Sequence, residues 1–147
     1  MSADCRAIFV YGTLMRGQQR ESMWTKVPEQ ILPACARARL YDLGPFPAIV
    51  AGEDLVAGEL RLFRPDDMRE TLVVLDAIEG YRQGGEDLYV RRIVSCQQIN
   101  GARFDAHAYF FANPDLLLDR PAIAPGPDGY CRWRNPIGNR RTTQNDL

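Results

Sequence analysis

Only one long stretch of this chain repeats its apolar residues with a helical period. Met68, Leu72, Leu75 and Ile78 recur at three- and four-residue spacing, which collects them on one face of a helix. The pattern predicts a helix over about Asp66–Glu79. Pro65 and the Asp66-Asp67 pair mark its start, where carboxylates suit exposed N–H groups and the positive end of the helix dipole. Gly80 marks its end. A shorter helical stretch is read at Glu21–Trp24. The other apolar segments, Ala7–Tyr11, Ala36–Tyr41, Leu55–Phe63, Tyr89–Cys96 and Phe104–Phe111, read as strands. Asn100-Gly101 between the last two is a hairpin turn. One main helix among several strands joined by short turns predicts an α+β domain with a curled, barrel-like sheet.

The 147 residues suffice for one domain with its own core. Hydrophobic residues make up 46% and charged residues 25%, the profile of a soluble globular protein. With a net charge of −1 and no basic stripe, nucleic acid is not an expected partner. No apolar run reaches the roughly 20 residues of a membrane span, and residues 1–7, with Asp4 and Arg6, lack the apolar centre of a signal peptide. Cys5, Cys35, Cys96 and Cys131 are widely spaced, with no C-x-x-C pair. They read as reduced, mostly buried thiols of a cytoplasmic protein.

His107 is the single histidine, so a zinc site built on two histidines of one chain is excluded. No G-x-S-x-G elbow accompanies it to suggest a serine triad. It lies in the run Arg103–Phe111, where Phe104, Ala106, Ala108 and Phe110 share one face, and reads as a strand histidine with a structural hydrogen bond. From Asn113 onward Pro114, Pro121, Pro125, Pro127 and Pro136 interrupt the chain. The expectation is a domain over residues 1–112 and an irregular Pro- and Arg-rich C-terminal extension over 113–147. Tyr130 and Trp133 would anchor part of that extension, Arg132, Arg134, Arg140 and Arg141 read as solvated, and its end is expected to be mobile.

Two local features carry chemistry. The apolar run Ile8–Val10 stops at Tyr11-Gly12-Thr13-Leu14, and Gly17 follows. A glycine just after a strand permits a sharp turn and close approach to the main chain. Successive N–H groups of such a turn can face one concavity and suit a carboxylate or phosphate. The alternative is a strand-to-loop turn with no ligand. The second feature is Glu79. It follows Leu75 by four positions and Leu72 by seven, so it falls on the face those leucines bury. It also stands at the negative end of the helix dipole. Burial and dipole both disfavour the anion and raise the carboxyl pKa, which suits a general base near neutral pH. The alternative is a frayed end with Glu79 in solvent or paired with Arg82 or Arg91. Asp76 is a neighbouring carboxylate, acid/base or structural. Tyr89 and Arg91 project on one strand face, to position a substrate or to line the barrel.

Taken in order, Tyr11-Gly12-Thr13-Leu14, the run from Leu40 to Ala48, Gly58-Glu59-Leu60, Leu75-Asp76-Ala77-Ile78-Glu79-Gly80 and Tyr89-Val90-Arg91-Arg92 resemble the gamma-glutamylcyclotransferase-like family, including its AIG2-like and gamma-glutamylamine cyclotransferase branches. The resemblance covers about residues 7–112. It implies a small mixed β-barrel with a few flanking helices. It also implies cleavage of a small gamma-glutamyl compound by internal cyclisation, releasing 5-oxoproline and a free amine or amino acid, with no metal and no organic cofactor. By this resemblance the backbone of Tyr11, Gly12, Thr13 and Leu14 holds the substrate α-carboxylate, and Glu79 occupies the position of the catalytic glutamate. Pro47, Tyr89 and Arg91 are further candidate substrate-binding residues. Pro45-Phe46-Pro47 is a candidate wall and Gly84-Gly85-Glu86-Asp87 a candidate rim. A binding module without catalysis, or a structural protein reusing the barrel, are the other readings. The leaving group and the oligomeric state are not legible.

Overall fold

The computed structural model describes residues 5–81, 87–99 and 101–133. Among them are six strands and one α-helix: β1 (Ala7–Val10), β2 (Gln30–Asp42), β3 (Pro47–Leu62), α1 (Pro65–Glu79), β4 (Tyr89–Gln98), β5 (Arg103–Phe111) and β6 (Tyr130–Cys131). Neighbours run β1-β5-β4-β2-β3, and β3 pairs back on β1, so five strands close into a barrel and β6 adds to β3. The β1–β5 and β3–β6 pairs are parallel and the rest antiparallel. This is the mixed barrel that the sequence resemblance implies.

Barrel closure explains the composition of β1. Phe9 packs in the barrel interior, while Ile8 and Val10 pack in a second cluster with Phe63, Met68 and Leu75. A strand covered on both faces needs apolar residues at every position rather than at alternate ones. A five-stranded barrel is also narrow, so much of its wall is alanine: Ala34, Ala36, Ala38, Ala106 and Ala108 all lie in the interior cluster. The predicted inward face of β5 is the observed one, with Phe104 and Phe110 packed against that cluster.

The hairpin of β2 and β3 is longer than the sequence suggests. Its strands pair from Gln30↔Leu62 to Asp42↔Pro47, with a register shift at Ala38/Arg39. The shift absorbs Ala51-Gly52-Glu53, which has the composition of a turn. The pairing crosses it because the two strands hold each other on either side. Only a three-residue 3₁₀ turn, Glu21–Met23, forms where a short helical stretch is read.

The helix matches its predicted span. Gly80 closes it in the left-handed conformation (φ 72°), and the Tyr81 N–H donates to Asp76 O at 2.8 Å, a glycine-capped end. At the β4–β5 hairpin Gly101 has φ 111°, and its predicted partner Asn100 lies outside the described residues.

Residues 113–133 return to the barrel. β6 pairs Leu55↔Tyr130 and Val56↔Cys131, the Ile123 N–H donates to Leu40 O at 2.8 Å, and Cys131 and Trp133 belong to the interior cluster. Arg132 pairs with Asp128 at 2.7 Å; Arg134, Arg140 and Arg141 lie outside the described residues. The four cysteines are buried free thiols. No helix among the described residues is long and apolar enough to cross a membrane.

Candidate active site

Four parts of the fold converge on one cavity: the turn after β1, the turn between β2 and β3, the last turn of α1, and the facing ends of β4 and β5. Tyr11, Gly12, Thr13 and Leu14 line it, as do Pro47, Glu79 and Tyr89. Counted out to its open mouth, its empty space is about 560 Å³.

The glycine turn is packed from behind. Its carbonyls are occupied: the Met15 N–H donates to Gly12 O, the Arg20 N–H to Thr13 O at 2.7 Å, and Trp24 Nε1 to Leu14 O at 2.8 Å. Trp24 is itself sandwiched, stacked on Phe63 and covered by the Arg61 guanidinium 4.5 Å from its ring. Gly12 has no positive φ. What requires glycine there is Pro47: a Cβ at position 12 would stand 2.5 Å from Pro47 Cγ and 2.7 Å from Cδ. Close packing against Pro47, rather than a sharp backbone turn, therefore sets glycine at position 12. Pro47 is held in turn, because its carbonyl accepts the Tyr89 hydroxyl at 2.6 Å.

Glu79 faces this turn across the cavity. Its side chain is only 13% exposed, and its carboxylate meets Arg20 Nη1 at 3.3 Å. Burial is the main effect and pushes its pKa up to about 7, with Arg20 pulling the other way. Burial also raises the phenols of Tyr11, Tyr89 and Tyr109, and the Glu79 charge adds to each. The four groups form a site in which every acid is biased toward its neutral form.

Arg91 is the predicted site residue that does not line the cavity. Its Nε and Nη2 donate to Asp76 at 2.9 and 3.2 Å, and Nη1 lies 3.3 Å from His107 Nδ1. Of the two arginines considered as partners for Glu79, Arg91 is engaged by Asp76, and Arg82 lies outside the described residues. Asp76 also accepts the Tyr109 hydroxyl at 2.5 Å, and Tyr109 O accepts the Tyr11 hydroxyl at 2.7 Å. A chain of bonds therefore ties the last turn of α1, through β5, to the glycine turn. Replacing Asp76 with Asn removes the charge that holds Arg91. Stability is expected to fall by about 1–3 kcal/mol in denaturant titration, with the alignment of Glu79 loosened.

Arg20 and Tyr109 are the site residues that sequence reading missed. Arg20 sits in a polar stretch, Gln18-Gln19-Arg20-Glu21, with no local mark of burial. Tyr109 did carry a signal: it has the opposite parity to Phe104 and Phe110, so it points out of the barrel, toward the face that α1 covers. Phe46 is the wall residue the sequence suggests, and it packs edge-on to Tyr89 at 6.3 Å. Of the candidate rim, Gly84, Gly85 and Glu86 lie outside the described residues. No three His, Cys, Asp or Glu side chains among the described residues are grouped to hold a metal ion.

The fold is thus a closed mixed barrel whose cavity is lined by a buried carboxylate and a glycine turn. The chain belongs to the gamma-glutamyl cyclotransferase, AIG2-like family, whose model matches residues 8–134. That match runs past residue 112, where the resemblance read from sequence stops. Similar folds are seen in a gamma-glutamyl cyclotransferase (17% identity, 97% of this chain and 80% of that one, TM-score 0.55) and in the uncharacterised protein PH0828 from Pyrococcus horikoshii (19%, 96% and 97%, 0.53). YkqA from Bacillus subtilis is similar at 20% identity over 73% of this chain (TM-score 0.54), which spans only 36% of that longer protein. At these identities the likeness is one of fold. No curated protein matches the sequence.

Proposed function

We propose that the protein converts a small gamma-glutamyl compound into 5-oxoproline and a free amine or amino acid, with Glu79 as the general acid/base. The observation that carries this reading is the shared cavity. A carboxylate with a pKa of about 7 and the Tyr11–Leu14 backbone line the same space. The substrate α-carboxylate is taken to lie on the amides of that turn, whose Gly12, Thr13 and Leu14 carbonyls are engaged elsewhere. Its α-ammonium then stands at Glu79.

Glu79 removes a proton from the ammonium, and the freed nitrogen attacks the γ-carbonyl carbon to close a five-membered ring. As the tetrahedral intermediate collapses, the proton on Glu79 passes to the leaving nitrogen and the bond from that nitrogen to the γ-carbon breaks. The ring nitrogen loses its extra proton, and the amine departs protonated. Nucleophile and electrophile belong to one molecule, so holding it folded supplies much of the acceleration. Phe46, Pro47 and Tyr89 offer rings against which the glutamyl methylenes pack. A plain binding site gains little from a buried base.

The test is 5-oxoproline release from a panel of gamma-glutamyl amino acids and amines. Release from at least one member supports the reading, and ligand-induced thermal stabilisation without product from any member overturns it. The pH profile adds a second expectation. Glu79 acts as a base only when ionised, so kcat/KM should drop as pH falls through about 7 rather than through the ordinary 4.5. The groups facing it are Arg20, Tyr11, Tyr89 and Tyr109. The phenols are pushed upward and stay neutral there, so the acid limb should follow a single ionisation.

A further inference from the structure

We propose that Arg20 selects substrates whose leaving amine carries an anion, favouring a gamma-glutamyl amino acid over a gamma-glutamyl amine without a carboxylate. This rests on the cyclotransferase reading of the same cavity and names the substrate class within it.

Among the described residues Arg20 is the one cation lining the cavity, and Glu79 the one carboxylate. In the free protein they pair through a single contact, Nη1 to Oε2 at 3.3 Å. A guanidinium carries five N–H donors, so most of the donor capacity of Arg20 is unused by that contact. Burial falls from one end of the cavity to the other. Tyr11, Thr13 and Leu14 are at most 7% exposed, while the Arg20 side chain is 38% and Leu88 49% exposed. The glutamyl head enters first and occupies the buried end, so the leaving part remains at the mouth beside Arg20.

Charge then decides what the leaving part should be. The α-ammonium must reach the carboxylate that Arg20 now holds. Two cations on one poorly solvated carboxylate repel each other, so the guanidinium needs another anion or must turn to solvent. A carboxylate on the leaving amine supplies that anion, by a charge-assisted and often bidentate hydrogen bond. Moving Arg20 from Glu79 to the leaving group also removes the cation that favours ionised Glu79, which strengthens it as a base. A neutral leaving amine offers neither effect.

The test compares gamma-glutamyl-alanine with gamma-glutamyl-ethylamide, which differ by that carboxylate alone, in the full chain and in its Arg20→Gln and Arg20→Lys variants. The wild type should favour the alanine compound by roughly tenfold or more in kcat/KM, the loss typical of one charge-assisted hydrogen bond. Arg20→Gln should bring the ratio near one, and Arg20→Lys should keep part of it. Parallel losses on both substrates, with the ratio intact, would overturn the proposal and assign Arg20 to the glutamyl head or to holding Glu79. If the wild type turns over neither compound, the rest of the panel decides the cyclotransferase reading by itself. Calorimetry then decides the charge preference: tighter binding of gamma-glutamyl-alanine that Arg20→Gln abolishes supports it, and equal or absent binding ends it.

Discussion

Glu79→Gln is expected to lower 5-oxoproline release by about 10²–10⁴-fold, the usual contribution of a general acid/base, while leaving the protein more stable at pH 8. The two effects have one cause. Its folded pKa of about 7 lies above the ordinary 4.5, so between those values the folded state keeps a proton that the unfolded chain has lost. Stability from this group therefore declines as pH rises from about 4.5 to about 7 and stays low above. The difference corresponds to at most about 3 kcal/mol, and the solvent that still reaches the group lowers it further. Glutamine has the same shape without the charge, so its melting temperature at pH 8 should rise by roughly 3–6 °C. At pH 4 that gain should vanish, because both side chains are then neutral. Unchanged turnover would remove Glu79 from the chemistry. Lost turnover with a lowered melting temperature would point instead to a damaged fold.

Gly12→Ala should have the second-largest effect, through packing rather than chemistry. The new methyl would lie 2.5 Å from Pro47 Cγ, inside any tolerable contact. Either the glycine turn or Pro47 must move. The first shifts the amides proposed to grip the α-carboxylate; the second strains the 2.6 Å bond from the Tyr89 hydroxyl. A displacement of that size in a positioning element costs about 10²-fold in kcat/KM, and overpacking costs about 1–3 kcal/mol. The check is kinetics alongside a denaturant titration. A variant with native kcat/KM would show that the turn absorbs the methyl without consequence. Pairing Gly12→Ala with Pro47→Ala should restore part of both losses, since the clashing ring atoms are then gone.

The helix, its glycine cap and the inward face of β5 were legible in the sequence because each is written in spacing within one segment. Met68 and Leu75 are buried where the helical period puts them, and Glu79 follows on the same face. The true lengths of β2 and β3 were not legible. Their extra residues include Pro33 and the polar Gly52-Glu53-Asp54, and they are held in strands by partners across the hairpin rather than by their own propensity. Tyr130 and Trp133 mark an anchor in the sequence, but the pairing of β6 with β3 was not legible, since the proline-broken segment before it has no period to follow.

The candidate site divides along the same line. From sequence alone came a glycine turn suited to an anion and a carboxylate on the buried side of a helix, because strand ends and helical faces are local properties. Closing β1 between β3 and β5 brought those two features to one cavity. Tertiary structure alone decided their companions. Arg91, near in sequence and plausible in charge, is drawn to Asp76, while Arg20, fifty-nine positions from Glu79, becomes its partner. Which charges meet depends on which strands pair, and strand pairing in a closed barrel is a property of the whole chain rather than of any segment of it.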